Sequence, residues 1–263
     1  MKKHSSMKRL PMLSAAVVLI MQAPALPEGE NNNEEFENDP VVLAALDAIP
    51  VGIMPEDLSL IPGHIKRLTE ADYRAVAASL GIEVAAMKAV VDIEAGPSHQ
   101  GFYAPGQPII NFDLTMFRRI AARRGVNLTP YTRTHQEVFA RPNVRTYGSM
   151  QGGQQARLRA AWDIDSVVAA EATFWGMFQI GGFNWDKCGA KSLDDFVRRM
   201  RRSEREQLDM FAEFIKTSGL ARHLRSHNWE AFARGYNGPG YARRGYHTRM
   251  ASAYTQYKQK EKK

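Results

Sequence analysis

Apolar and polar positions divide this chain into two regimes that meet near residue 64. Before it lie one apolar run, Leu10 to Met21, and one short apolar stretch, Val41 to Ile49. After it, helix patterns follow one another, punctuated by glycine. Thr69 with Asp72 resembles a capping box and opens a helix that stops at Gly81. A second helix, from about Glu83 to Ala95, sets Val84, Met87, Val91 and Glu94 at helical spacing. Glu94 is thus expected on or beside the core face, and Lys88, bordering that stripe, is expected to reach out to water. Gly101 to Asp113 carries turn punctuation at Pro105-Gly106 and a β-like run, Pro108 to Phe112, which predicts a small hairpin or extended flap.

Further on, Leu114 to Arg124 is a helix closed by Gly125. Asn127 to Gly153, rich in Pro, Thr and Gln, is expected to be loop, and Gln154 to Thr173 one or two helices. Ser192 with Asp195, and Ser203 with Glu206, predict two capping boxes that open helices at about 193–201 and 204–218. Asn228 caps a short helix through Arg234, and a final helix runs from Tyr241 into the Lys-rich tail. The pattern is mostly α, formally α+β, with one small β element and no internal repeat.

Charge sharpens the division. Residues 1–25 hold Lys2, Lys3, Lys8 and Arg9 and no acid, whereas residues 26–63 hold nine acids and no Lys or Arg. With a net charge of +7 for the whole chain, residues 64–263 carry +12. A basic segment of that size favours a polyanionic partner: nucleic acid, anionic membrane or cell wall. The first 25 residues have the form of an export signal: a basic start, the apolar run, then small residues at Ala23 and Ala25. The expectation is an exported protein without stable membrane insertion after cleavage, the alternative being an uncleaved N-terminal anchor. No Cys lies near that point, so lipid attachment there is excluded. Residues 26–63, acidic and Asn- and Pro-rich, are read as a largely disordered linker, and residues 64–263 as the working domain. Cys188 is the single cysteine, so no intrachain disulfide forms.

Three distant segments combine small or aromatic residues with one polar group. The first, Asp92-Ile93-Glu94-Ala95-Gly96, puts a carboxylate in the last turn of an apolar helix. The partial negative charge of a helix C-terminus and burial both disfavour ionisation, which is what a general acid at neutral pH requires. A helix-end Glu paired with an Arg or Lys is the structural alternative. The second is Thr173-Phe174-Trp175-Gly176-Met177-Phe178-Gln179-Ile180. There Gln179 sits in an apolar run and must find a partner or cost about 1–3 kcal/mol. The third is Ala233-Arg234-Gly235-Tyr236-Asn237-Gly238-Pro239-Gly240, a phenol and an amide ahead of a chain break. Taken singly, a Gln bonded to backbone or a Tyr-Asn turn closing a helix accounts for each.

Taken together, in this order, they resemble the lysozyme superfamily of goose-type lysozymes and lytic transglycosylases. The closer resemblance is to the N-acetylmuramidase domain family of phage endolysins and bacterial wall hydrolases. It is carried by Pro108-Ile109-Ile110-Asn111-Phe112-Asp113, by Phe174 through Asn184, by Ser203-Glu204-Arg205-Glu206-Gln207-Leu208 and by Phe232 through Tyr241, and it spans roughly residues 68–257. It implies a lysozyme-like helical domain with a hairpin or flap beside an active-site cleft. The substrate would be peptidoglycan glycan strands, cut between N-acetylmuramic acid and N-acetylglucosamine. Glu94 would be the general acid. Gln179 and the backbone of Gly176, Met177 and Phe178 would line the cleft. Tyr236 would orient Glu94, and Asn237 would contact sugar or Glu94. Trp175 and Phe178 would lie under a sugar ring or support the floor, one of them in the core.

The sequence departs from the family at Asp113, where the family has Glu; the acid is about 1.5 Å shorter in reach. Asp113 is thus a candidate base on water or a flap residue. Ala95 and Phe174 replace serines that carry no proton in the reaction. A lytic transglycosylase would need only Glu94, and a wall-binding module that has lost efficient chemistry is the reading from another class. No cofactor, metal or nucleic-acid partner is expected, and the protein is expected to be monomeric.

Overall fold

A helix that is apolar on every side has to be surrounded. Val84–Glu94 is apolar on all but the face that carries Lys88 and Asp92, and Ala85, Ala86, Met87, Ala89, Val90, Val91 and Glu94 are all buried. Its three alanines let neighbouring helices approach closely, while Met87, Val90 and Val91 each contribute about 1.5–3 kcal/mol by leaving water. In the computed structural model of the chain, which describes residues 67–96, 99–140, 144–147 and 149–262, this helix packs against the helix before it and the last helix of the chain. The expected export signal lies outside the described residues, as does the acidic linker.

In chain order the elements are α1 (Glu70–Leu80), α2 (Val84–Glu94), β1 (Phe102–Ala104), β2 (Gln107–Pro108), β3 (Ile110–Phe112) and α3 (Leu114–Arg124). After a 3₁₀ turn at Thr129–Tyr131 come α4 (Gln136–Phe139), α5 (Val144–Tyr147), α6 (Met150–Ile164), α7 (Ser166–Glu171), β4 (Thr173–Trp175) and β5 (Ile180–Gly181). A 3₁₀ stretch at Gly182–Cys188 leads to α8 (Leu193–Arg202), α9 (Glu204–Thr217), α10 (Ala221–Arg225), α11 (Trp229–Asn237) and α12 (Tyr246–Lys260). Helices α1 and α12 pack against α2. Lys88 pairs with Glu70 between the rings of Tyr73 and Tyr257, so its ammonium does reach the surface.

The fold is mostly helical with a small β component, as expected, but that component is two sheets rather than one. β1 and β2 form the expected hairpin around Pro105-Gly106. β3 leaves it and joins an antiparallel sheet of order β3-β4-β5, pairing Ile110 with Trp175 and Phe112 with Thr173. The free edge of β3 is closed by side chains of α6. Gln151 accepts from Ile110 N–H and donates to Ile110 C=O, both at 3.1 Å; Gln154 accepts from Phe112 N–H at 3.1 Å; Gln155 donates to Pro108 C=O at 2.8 Å.

This arrangement overturns the expectation of loop across Asn127 to Gly153. Two short helices and the start of α6 lie there, the latter capped by Ser149, which accepts from Gly152 N–H at 2.9 Å. Its two glycines, Gly152 and Gly153, depress helix propensity locally, but the hydrogen bonds of its glutamines to Ile110, Phe112 and Pro108 offset that. The box at Thr69 and Asp72 is complete. Those at Ser192 and Ser203 are half-formed: each serine caps, while Asp195 turns to Lys191 N–H and Glu206 to Arg199 and Arg202. α11 runs three residues past Arg234, and α12 begins at Tyr246 rather than Tyr241 because Gly245, at φ +63°, forms the entry turn.

Candidate active site

Glu94 is the last residue of α2. Ala95 closes the helix, donating to Val91 C=O at 2.8 Å, and Gly96 turns the chain away at φ +72°. Glu94 retains 8% of its exposure, too little for ordinary hydration. Burial pushes its pKa from 4.5 up to about 8; the amide of Asn237 and the charge of Arg249 pull the other way and lose. At neutral pH the side chain therefore holds a proton.

Asn237 occupies the last turn of α11 and is buried as deeply. Its Nδ2 donates to both carboxylate oxygens, at 3.1 and 3.0 Å, and its Oδ1 is buried without a partner. That unmatched acceptor faces the same neighbourhood as the acid. Tyr236 does not bond Glu94. Its hydroxyl donates to Phe178 C=O at 2.8 Å, and its ring packs against Phe211, Phe214 and Phe232. Successive residues on a helix point about 100° apart, so Asn237 meets α2 while Tyr236 reaches the β4–β5 turn.

That turn is held in an unusual backbone shape. Gly176 lies at φ +69° and donates to Ile109 C=O at 2.8 Å; Gln179 lies at φ +50°, and both its backbone N–H and its Nε2 donate to Gly176 C=O. A non-glycine residue at positive φ marks a position the surroundings impose. Met177 N–H donates to Oε1 of Gln207 at 2.9 Å. Gln207, fully buried, also donates to Gly101 C=O and Met200 C=O, so one side chain of α9 ties the hairpin base to the turn. A Cβ at Gly101 or Gly176 would stand 2.5 or 2.7 Å from that side chain. Next to it Glu204, 1% exposed, accepts from Gly101 N–H at 2.9 Å and pairs with Arg67 at 3.2 Å. The apolar face Leu208, Phe211, Ile215 brackets Gln207 at helical spacing, which was the sequence signal for a buried amide there.

Trp175 and Phe178 both lie in the core. The indole N–H of Trp175 donates to Ala170 C=O at 3.0 Å, and Phe178 stacks on Phe211 at 4.1 Å between centroids. Met177 is likewise 3% exposed. Asp113 caps α3, accepting from Met116 N–H at 2.9 Å. The groups acting on the Glu94 carboxyl are burial, Asn237 and Arg249; no second carboxylate is among them. Among the described residues no group of three His, Cys, Asp or Glu side chains could hold a metal ion, and no helix is long and apolar enough to cross a membrane.

A family model described as N-acetylmuramidase matches residues 83–258, more than half the chain. Among solved structures, the chain is similar to the crystal structure of the Burkholderia AP3 phage endolysin, with 29% sequence identity and a TM-score of 0.62, over 79% of this chain and 76% of that one. No match is found among curated proteins.

Proposed function

Since the chain belongs to the N-acetylmuramidase family, and so is a lysozyme-like glycoside hydrolase of peptidoglycan, we propose that it cleaves the β-1,4 bond between N-acetylmuramic acid and N-acetylglucosamine with Glu94 as general acid. The observation that supports this reading most is the buried, protonated carboxyl at the end of α2, gripped on both oxygens by one amide. A carboxyl that keeps its proton at pH 7 can deliver it to the glycosidic oxygen as the bond breaks. Asn237 fixes the orientation of the carboxyl that carries the proton. The Gly176–Gln179 turn, braced by Tyr236 and Gln207, supports the wall next to it. Trp175 and Phe178 contribute by holding the floor from beneath.

Replacing Glu94 by Gln keeps the shape and removes the proton. Lysis of purified sacculi by the variant is expected to fall by a factor of about 10²–10⁴, with an unchanged circular dichroism spectrum. Near wild-type lysis would sink the assignment.

One observation favours a second reading. Asp113 is engaged as a helix cap, and the acid has no carboxylate partner acting on it. A lytic transglycosylase uses a single acid and lets the sugar's own hydroxyl attack. Mass spectra of released muropeptides separate the two: reducing ends for hydrolysis, 1,6-anhydro ends for transglycosylation.

A further inference from the structure

Between Asp113 and Asp163 the chain holds nine arginines, no lysine and a single acid, Glu137. That is +8 of the +12 carried by residues 64–263. The densest part is α3, with four arginines and no acid among its eleven residues. Helical period sorts its side chains. Phe117, Ile120 and Ala121 are buried and turn one face to the core. Thr115, Arg118, Arg119, Ala122 and Arg123 fall on the opposite side, all exposed except Arg119, which is half-buried. Arg124 leaves this face and pairs with Glu171 of α7, its Nε donating at 3.1 Å. Arg118 lies 5.8 Å from the ring centroid of Phe139 in α4. Among the described residues no carboxylate pairs with Arg118, Arg119 or Arg123.

Helix stability does not account for this face. Arg123 and Arg124 complement the dipole at the helix end, but Arg118 and Arg119 stand in mid-helix. Arg119 and Arg123, four residues apart, are neighbours of like charge and repel. An acid at position 115 or 122 would pair with Arg119 or Arg118 at the favoured spacing; Thr115 and Ala122 stand there. Three guanidinium groups on one helix face suit carboxylates or phosphates, which they hold by paired, charge-assisted hydrogen bonds. A helix lying on a membrane needs apolar side chains to bury among the headgroups, and those of α3 already face the core. The sequence has no nucleic-acid motif. The polyanion that fits is the polymer this family cuts, peptidoglycan, whose stem peptides carry carboxylates along every strand. α3 packs on α7, whereas the acid belongs to α2 and is held by α11, so face and acid sit on different elements.

We propose that the Arg118, Arg119 and Arg123 face of α3 is a docking surface for the stem-peptide carboxylates of peptidoglycan. It holds the enzyme on the sacculus between cuts, by side chains that take no part in the reaction. This rests on peptidoglycan being the substrate and is independent of the role of Glu94.

Binding is read as co-sedimentation with sacculi stripped of phosphodiester polymers, in the Glu94→Gln background so that the pellet is not digested. R118Q/R119Q/R123Q is expected to bind about tenfold more weakly, the size of effect that three exposed charge pairs supply, and R118K/R119K/R123K to keep most of the affinity. Capping the sacculus carboxylates as methylamides is expected to weaken the parent by the same factor and to leave the triple Gln variant unchanged. In about 1 M salt, where the screening length falls to ~3 Å, the difference between parent and variant is expected to vanish. With Glu94 restored, the triple Gln variant is expected to keep the parent's kcat/KM on a soluble, peptide-free glycan oligomer, and a matching circular dichroism spectrum shows that it folds. Equal binding by parent and triple Gln variant would overturn the proposal, as would a parent indifferent to capping. So would tighter, arginine-dependent binding to phosphatidylcholine–phosphatidylglycerol vesicles or to duplex DNA than to sacculi, which assigns the face to that partner. If Glu94→Gln still lyses sacculi, the acid assignment falls, while binding read before lysis still compares the arginine variants.

Discussion

At the scale of single residues, the site depends on which atoms Asn237 presents. Its Nδ2 donates to both oxygens of Glu94, a contact that favours the ionised carboxyl and holds the pKa below where burial alone would put it. Asn237→Leu removes that donor without adding charge. The alkaline limb of the activity profile, set near pH 8 by loss of the Glu94 proton, is expected to move upward, while kcat falls as the acid loses its orientation. A pH–rate profile on sacculi checks both; a limb that moves down or stays in place contradicts the pairing. The order of motifs along the chain was enough to single out Glu94, Gln179, Tyr236 and Asn237. It could not say which of Tyr236 and Asn237 touches the acid, because that depends on the roll of α11 against α2. Nor could it show that Asp113, one methylene short of the family residue, caps α3.

At the scale of elements, the β4–β5 turn and the hairpin base are clamped by Gln207 from α9. The clamp needs glycine at 101 and 176 because a side chain at either would occupy the amide's place, and Gly176 also lies at positive φ. Gly176→Ala is expected to destabilise the protein by about 1–3 kcal/mol through strain and a displaced buried amide, with activity falling further than the stability loss accounts for. Gln207→Leu is expected to leave Met177 N–H unpaired with similar cost. Urea unfolding, paired with rates measured well below the unfolding midpoint, checks both variants. These elements were half legible. Helix ends marked by Gly81 and Gly125 emerged where glycine required them, both in the left-handed conformation. The strands β4 and β5 did not, since residues buried on both faces show no alternation, and the first turn of α6 was hidden by Gly152 and Gly153, which lower helix propensity.

At the scale of the whole molecule, a buried acid is a stability cost that depends on pH. Below about pH 4.5 Glu94 is protonated in both folded and unfolded chains. Between there and about pH 8 the unfolded chain releases the proton and the folded protein retains it, so stability falls as pH rises; above about 8 the penalty is constant. Each unit of that interval is worth at most about 1.4 kcal/mol. Glu94→Gln is therefore expected to match the wild type in thermal stability near pH 4 and to exceed it by a few kcal/mol at pH 8. Melting curves across that range check it, and equal stability at both ends would place the carboxyl in water.

The sequence determined the family, the mostly helical class, the helix that ends in an acid, and the basic charge of the domain, because each is written in local period, in motif order or in composition. Only the tertiary structure decided that the acid is dry, that one amide holds both its oxygens, and that Gln207 joins Gly101 to Met177, in two loops far apart in the chain. Burial and hydrogen bonding are properties of what packs against a residue, and its neighbours in sequence do not specify them.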